Sequence, residues 1–267
     1  MAVGRTSLER KNMKIISADD LSIVEDQTKN LDKNSLVIFD CDNVLTTVKI
    51  GIFNVQNKDF LKNYLREESV SKDKFYDKIR LVLVNEISYI VNQRIVDLVE
   101  SLSKRNVRHM VATSYSVRPL KDVPDPMQWR IDNLHAMGYF FEKSWPDQEK
   151  DVVLDDFGTD HNPVFRKGIL FCDIFSKGDC IRSFFEYIGW LPKRIVFIDD
   201  VLRNLSDVGE FCDENKIEYV GIEYLESQHI NSHIPFSDDL GKIQMDHLIN
   251  ESVWLKDEEA QKILSDS

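Results

Sequence analysis

Two apolar runs in this chain end in paired carboxylates: Phe39-Asp40-Cys41-Asp42 and Ile198-Asp199-Asp200. An ionised carboxylate buried among apolar neighbours is too costly unless a cation compensates it. Two such pairs brought to one place would therefore call for a positive partner. No His or Cys stands beside them at metal-ligand spacing, so the donors are hard oxygens and the fitting ion is a hard divalent one. Magnesium suits best, because it takes one or two carboxylates and keeps its remaining positions for water and substrate phosphate. His229 and His233 stand four apart in a polar stretch without a Cys or carboxylate partner, and are set aside as ligands. Cys41 sits next to Asp40, but strand alternation turns its side chain to the opposite face.

The elements that would position these groups follow from periodicity. Apolar runs at 36–39, 107–113, 168–173, 194–198 and 217–222 read as strands, several with the continuous apolar character of strands buried on both faces. Between them lie helical patterns. Ser17 reads as the cap of a helix over 18–30, residues 57–105 are mostly helical, and 178–189 carries Ile181, Phe184, Phe185 and Ile188 on one stripe. A further stripe joins Leu202, Leu205, Val208 and Cys212. Residues 1–13 read as a loose leader, 46–55 as a short extended hairpin, and the acidic stretch 147–160 as a hairpin or loop. Alternation of strand and helix predicts an α/β fold with a doubly wound parallel sheet. In such sheets the C-terminal strand ends share one edge, where ligands bind.

Bulk properties narrow the function further. With 34 basic and 46 acidic residues the net charge is −12, which excludes a nucleic-acid binder and adsorption to an anionic membrane. A phosphorylated substrate would have to be drawn in by local cations against the global field. The four cysteines, Cys41, Cys172, Cys180 and Cys212, lack CxxC spacing and read as free thiols of a reducing compartment. No apolar run has the length of a membrane span, and the first twenty residues lack the apolar stretch of a secretory signal. The expectation is a cytoplasmic protein without a membrane span, with export lacking a cleaved signal peptide as the second route.

On these residues the chain resembles the haloacid-dehalogenase-like hydrolase superfamily, whose phosphatases carry four motifs in this order. Asp40 and Asp42 stand where that superfamily has its nucleophile and general acid/base. Thr113, followed by Ser114, stands where it has a phosphate-binding hydroxyl, and Lys177 where it has the lysine beside the phosphorylated nucleophile. Asp199-Asp200, with Asn204 four beyond, matches its acidic metal motif. Residues 244–260, with Trp254-Leu255-Lys256-Asp257, further resemble a little-characterised branch found largely in intracellular bacteria. Tyr115 departs from the arginine of that branch, and Arg118 is the candidate substitute.

The resemblance implies a Rossmann-like core over 14–228, a small helical cap inserted at about 50–92, and a tail over 229–267 packed on the core. It implies a Mg2+ ion held by Asp40, Asp42, Asp199 and Asp200, with Thr113, Ser114 and Lys177 contacting the phosphoryl group. The expected activity is a magnesium-dependent phosphomonoester phosphatase working through an aspartyl-phosphate. A small cap implies an open site for phosphoprotein substrates, and Tyr115 and Phe53 are candidates to flank a phosphotyrosine ring. The alternatives are a phosphotransferase or phosphomutase, or a non-catalytic protein that meets a host partner.

Overall fold

The computed structural model describes residues 13–120 and 122–266. Apart from Met13, the leader expected over 1–13 lies outside these described residues. The elements in order are β1 (Met13–Ala18), α1 (Ser22–Thr28), β2 (Ser35–Phe39), β3 (Thr46–Val48), α2 (Lys58–Glu67), α3 (Lys72–Asn85), β4 (Ser88–Ile90), α4 (Gln93–Lys104), β5 (Arg108–Thr113) and α5 (Pro126–Ala136). They continue with β6 (Val152–Val153), β7 (Val164–Arg166), β8 (Ile169–Phe171), α6 (Lys177–Ile188), β9 (Arg194–Asp199), α7 (Leu202–Glu214), β10 (Glu218–Tyr224), α8 (Glu226–Asn231), α9 (Asp238–Asp246) and α10 (Asp257–Ser265).

Eight strands form one sheet in the order β1-β10-β9-β2-β5-β8-β7-β6. The six strands from β1 to β8 in this order pair in parallel, and the two pairings at the β6 edge, β8 with β7 and β7 with β6, are antiparallel. β2 lies in the middle, with Ile38 opposite Met110 on one side and Phe197 on the other. All five of its residues are buried, which explains why its sequence shows no polar alternation. From β2 the chain moves outward through β5 to β8, then returns to β9 on the opposite side of β2. The winding therefore reverses between β2 and β9, and in sheets of this kind ligands bind at the C-terminal strand ends beside such a reversal.

The α/β class and the mostly parallel sheet agree with the sequence reading. Two differences concern the edges. β1 occupies the start of the stretch read as a helix: Ser17 does not cap, but donates through its hydroxyl to Glu223 of β10 at 2.5 Å, and α1 begins only at Ser22. The acidic stretch 147–160 contributes β6, which pairs antiparallel with β7.

The chain divides into two compact units. The sheet unit comprises residues 1–45 and 90–226, with a core that includes Ile38, Met110, Phe165, Phe184, Phe197 and Leu205. Within it Phe165 stacks on Phe184 at 4.2 Å, and Trp145 meets both rings edge-on. α6 lies so close to α7 that a side chain at Gly178 would meet the Asp207 carbonyl oxygen at 2.8 Å. The second unit joins residues 46–89 to 227–267. Its own core holds Ile52, Tyr64, Val82, Met245, Leu248 and Trp254. Hydrogen bonds tie the two segments: Asn231 Nδ2 donates to Thr47 Oγ1 (2.9 Å), Tyr64 to Asp246 (2.7 Å), and Trp254 Nε1 to Glu86 (2.6 Å).

Candidate active site

The ends of β2 and β9 lie side by side at the winding reversal, and the Asp40 amide donates to the Ile198 carbonyl across them at 2.8 Å. Asp40 immediately follows β2, Asp199 ends β9, and Asp200 follows it. Carboxylate oxygens of all three come within 4.8 Å of one another. Lys177 opens α6 and runs its buried ammonium between two of them, 2.7 Å from Asp40 Oδ1 and 2.8 Å from Asp199 Oδ2. Sequence reasoning placed these four together, and the fold brings them together.

Each carboxylate has a different set of partners. Asp199, fully buried, also accepts from the Val201 amide (2.8 Å) and from Asn204 Nδ2 at 3.1 Å to each oxygen. The asparagine thus anchors Asp199 rather than Asp200. Asp200 instead accepts from Asn43 Nδ2 at 3.1 Å. Asn43 sits at φ +66, a left-handed conformation that asparagine tolerates better than most residues, and this bends the chain sharply after Asp42.

Asp42 stands outside the three-carboxylate group and pairs with Arg130 Nη2 of α5 at 3.1 Å. Thr113 is the buried last residue of β5, so it reaches the same sheet edge; its hydroxyl accepts from the Tyr115 amide at 3.1 Å, with half-buried Ser114 between them. Arg118 is held by Ser116 (3.1 Å) and Asp173 (3.5 Å). The rings offered as flanks for a substrate both pack internally. Tyr115 is buried against Trp129, and Phe53 stacks on Trp254 within the second unit.

Electrostatics reflect the crowding. Burial, then Asp199 and Asp200, push the Asp40 carboxyl well above its ordinary range, and Lys177 only partly offsets them. Burial and Asp199 push Asp200 up to about 7, against Lys177 and Asn43. Burial disfavours the Lys177 charge, but Asp199 and Asp40 outweigh it and hold the ammonium above its usual range.

Three formal negative charges against one positive leave −2, the charge that one divalent cation neutralises. The donors are oxygens only, the hard set that magnesium prefers, and they lie within 4.8 Å of one another, which accommodates the roughly 4.2 Å between opposite ligands of an octahedral ion. Asp40, Asp199 and Asp200 fit such an ion.

Three residues of this site escaped the sequence reading: Asn43, Arg130 and Asp173. Asn43 had a local signal, as a residue tolerant of the left-handed turn directly after the acidic pair. Arg130 had none.

Comparison with known proteins gives the chain its relatives. It matches, over residues 17–261, a family described as "Protein of unknown function (DUF2608)". An uncharacterized protein of Rickettsia prowazekii is 23% identical over 93% of this chain and 89% of its own length. Proteins of Chlamydia trachomatis and Chlamydia pneumoniae, each named "Putative outer membrane protein", are 33% and 26% identical. The chain covers 31% and 51% of their lengths, matching over 31% and 56% of its own. No solved structure matches. The haloacid-dehalogenase-like resemblance is overturned by these matches, which assign the chain elsewhere. Short motifs at three strand ends and one helix start do not by themselves fix ancestry. The family model covers most of the chain, which therefore belongs to the DUF2608 family.

Proposed function

We propose that this site is the active site of a magnesium-dependent phosphomonoester phosphatase that works through an aspartyl-phosphate. The observation that carries the reading is a group of three carboxylates, two of them buried, and one buried lysine, formally −2, at the winding reversal of a parallel sheet. When bound, the ion would neutralise that charge and let an anionic carboxylate meet an anionic phosphate.

An oxygen of Asp40 attacks phosphorus, the bond from phosphorus to the leaving oxygen breaks, and Asp42 delivers a proton to that oxygen. Water then attacks the aspartyl-phosphate, Asp42 takes its proton, and the bond from phosphorus to Asp40 breaks to release inorganic phosphate. Covalent catalysis splits one hard displacement into two easier ones, and acid/base assistance adds roughly 10²–10⁴-fold. Lys177 supplies a fixed positive charge beside Asp40, and Thr113 with Ser114 supplies hydroxyls at the neighbouring strand end. Phosphoproteins are the substrate class we favour. The four free thiols suit a reducing compartment, either the cytoplasm or, given the name borne by the chlamydial relatives, one reached by export. No described helix is long and apolar enough to cross a membrane.

Hydrolysis of p-nitrophenyl phosphate with and without magnesium tests the reading. The wild type should turn over only with the ion, and Asp40→Asn should fold normally yet lose activity by at least about 10³-fold. Rapid acid quenching should trap labelled phosphate on Asp40. Turnover by Asp40→Asn at the wild-type rate would remove Asp40 from its role, and transfer of the trapped group to an added alcohol instead of water would favour a phosphotransferase.

A further inference from the structure

Arg130 is an unusual residue to find wholly buried within a helix. Its side chain is wholly buried, and its guanidinium lies 4.4 Å from the centre of the Tyr115 ring and 5.4 Å from that of Trp129. The two rings are themselves nearly parallel, 5.9 Å apart. Only Nη2 finds an anion: it stands 3.1 Å from one oxygen of Asp42 and 3.4 Å from the other. Nε and Nη1 meet no hydrogen-bond acceptor among the described residues. A buried cation is tolerated when paired, so the fold retains Arg130 for the sake of this contact. The aromatic faces fix the guanidinium plane from the side, leaving it little freedom to follow a moving partner.

Asp42 needs such a partner. Its side chain is 37% exposed, follows the strand in a loop, and lies outside the network that holds Asp40, Asp199 and Asp200. A carboxylate so placed would sample several rotamers, whereas proton transfer requires it within hydrogen-bond reach of one oxygen. We infer that Arg130 is a positioning residue, which holds the Asp42 carboxylate in one orientation, within reach of the leaving group, through a buried, ring-clamped guanidinium. This rests on the phosphatase reading above and adds to it a residue from a helix that carries no other part of the site. Burial is the largest influence and works against the guanidinium charge, but Asp42 together with Cys41, Tyr115 and Asp40 outweighs it, so the clamp stays charged.

The test compares leaving groups, because p-nitrophenolate departs without a proton and an alkoxide does not. Full-length wild type, Arg130→Met, Arg130→Lys, Asp42→Asn and the double variant Asp42→Asn/Arg130→Met are assayed on p-nitrophenyl phosphate and on glycerol phosphate. Arg130→Met should lower kcat on glycerol phosphate about 10- to 100-fold more than on p-nitrophenyl phosphate, with KM nearly unchanged, a fraction of what acid/base catalysis supplies. Arg130→Lys should recover part of that difference. The double variant should discriminate no more than Asp42→Asn alone, since both changes remove one function. Equal loss on both substrates would reduce Arg130 to a packing role and overturn the inference, as would additive losses in the double variant. Should Arg130→Met not fold, Arg130→Lys decides on the same criterion. A wild type inactive on every phosphate ester, with or without magnesium, overturns the phosphatase reading itself and this inference with it. An active wild type whose Arg130 variants ignore the leaving group overturns the inference alone.

Discussion

Asp199 and Asp200 are neighbours in sequence, yet their surroundings predict opposite phenotypes. Asp199 is fully buried and accepts from Lys177, Asn204 and a backbone amide, so Asp199→Ala strips a buried ammonium of half its compensation. The expected cost is about 3–5 kcal/mol of stability, read by urea denaturation. Asp200 accepts from Asn43 and sits among like charges, so Asp200→Ala should leave the unfolding free energy from urea denaturation within roughly 1 kcal/mol of wild type while raising the magnesium concentration for half-activity at least about tenfold. Unchanged magnesium dependence in Asp200→Ala would sink the assignment of that carboxylate to the ion. Both acidic pairs were legible in sequence because each interrupts an apolar strand, where a charge demands an explanation. Arg130 was not, because a single arginine in a helix ordinarily points to solvent. Its burial depends on two rings, Tyr115 and Trp129, and on a loop 88 residues upstream.

At the scale of elements, β5 reaches the site through a strand that carries its own sensitivity to acid. His109, second in β5, is fully buried; its Nδ1 lies 2.8 Å from the Val107 carbonyl, so it donates there, and Nε2 accepts from Ser103 at 3.2 Å. Burial holds this imidazole down to about 4, with the Val107 contact opposing. In the unfolded chain a histidine binds its proton near pH 6.5, so between there and about pH 4 the unfolded state takes up a proton that the folded state refuses. Stability should therefore fall as pH drops through this window, by on the order of 3 kcal/mol from this residue. His109→Gln should show a shallower decline in urea midpoint from pH 7 to 4.5, and parallel declines would remove His109 as the cause. The central strands were readable because strands buried on both faces leave an unbroken apolar signature. β1 was not: it is an edge strand with Lys14 exposed and Ile15 and Ile16 only half-buried, so neither a period of two nor an apolar run stands out. Its identity comes from pairing with β10, which local sequence cannot express.

For the molecule as a whole, the second unit is built from two segments that each supply part of one core. Truncation after Glu226 would remove Met245, Leu248 and Trp254, leaving Tyr64 and Val82 uncovered. Limited proteolysis of that variant should cut first within 46–89, where the intact chain should resist; equal resistance would mean that segment folds unaided. Trp254 stood out in the sequence, but nothing local announces a partner segment that ends roughly 140 residues before its own begins. That distance also sets a timetable. A ribosome adding about 5–20 residues per second needs roughly 7–30 s between the emergence of residue 89 and that of residue 227. During that interval the apolar face around Tyr64 and Val82 has been made while its complement has not, and β1 likewise waits for β10. Synthesis in the cell therefore leaves a nascent chain with sticky surface for many seconds, far longer than the microseconds of helix formation or collapse. Chaperone supply and translation speed, more than final stability, should govern how much of this protein reaches its folded form.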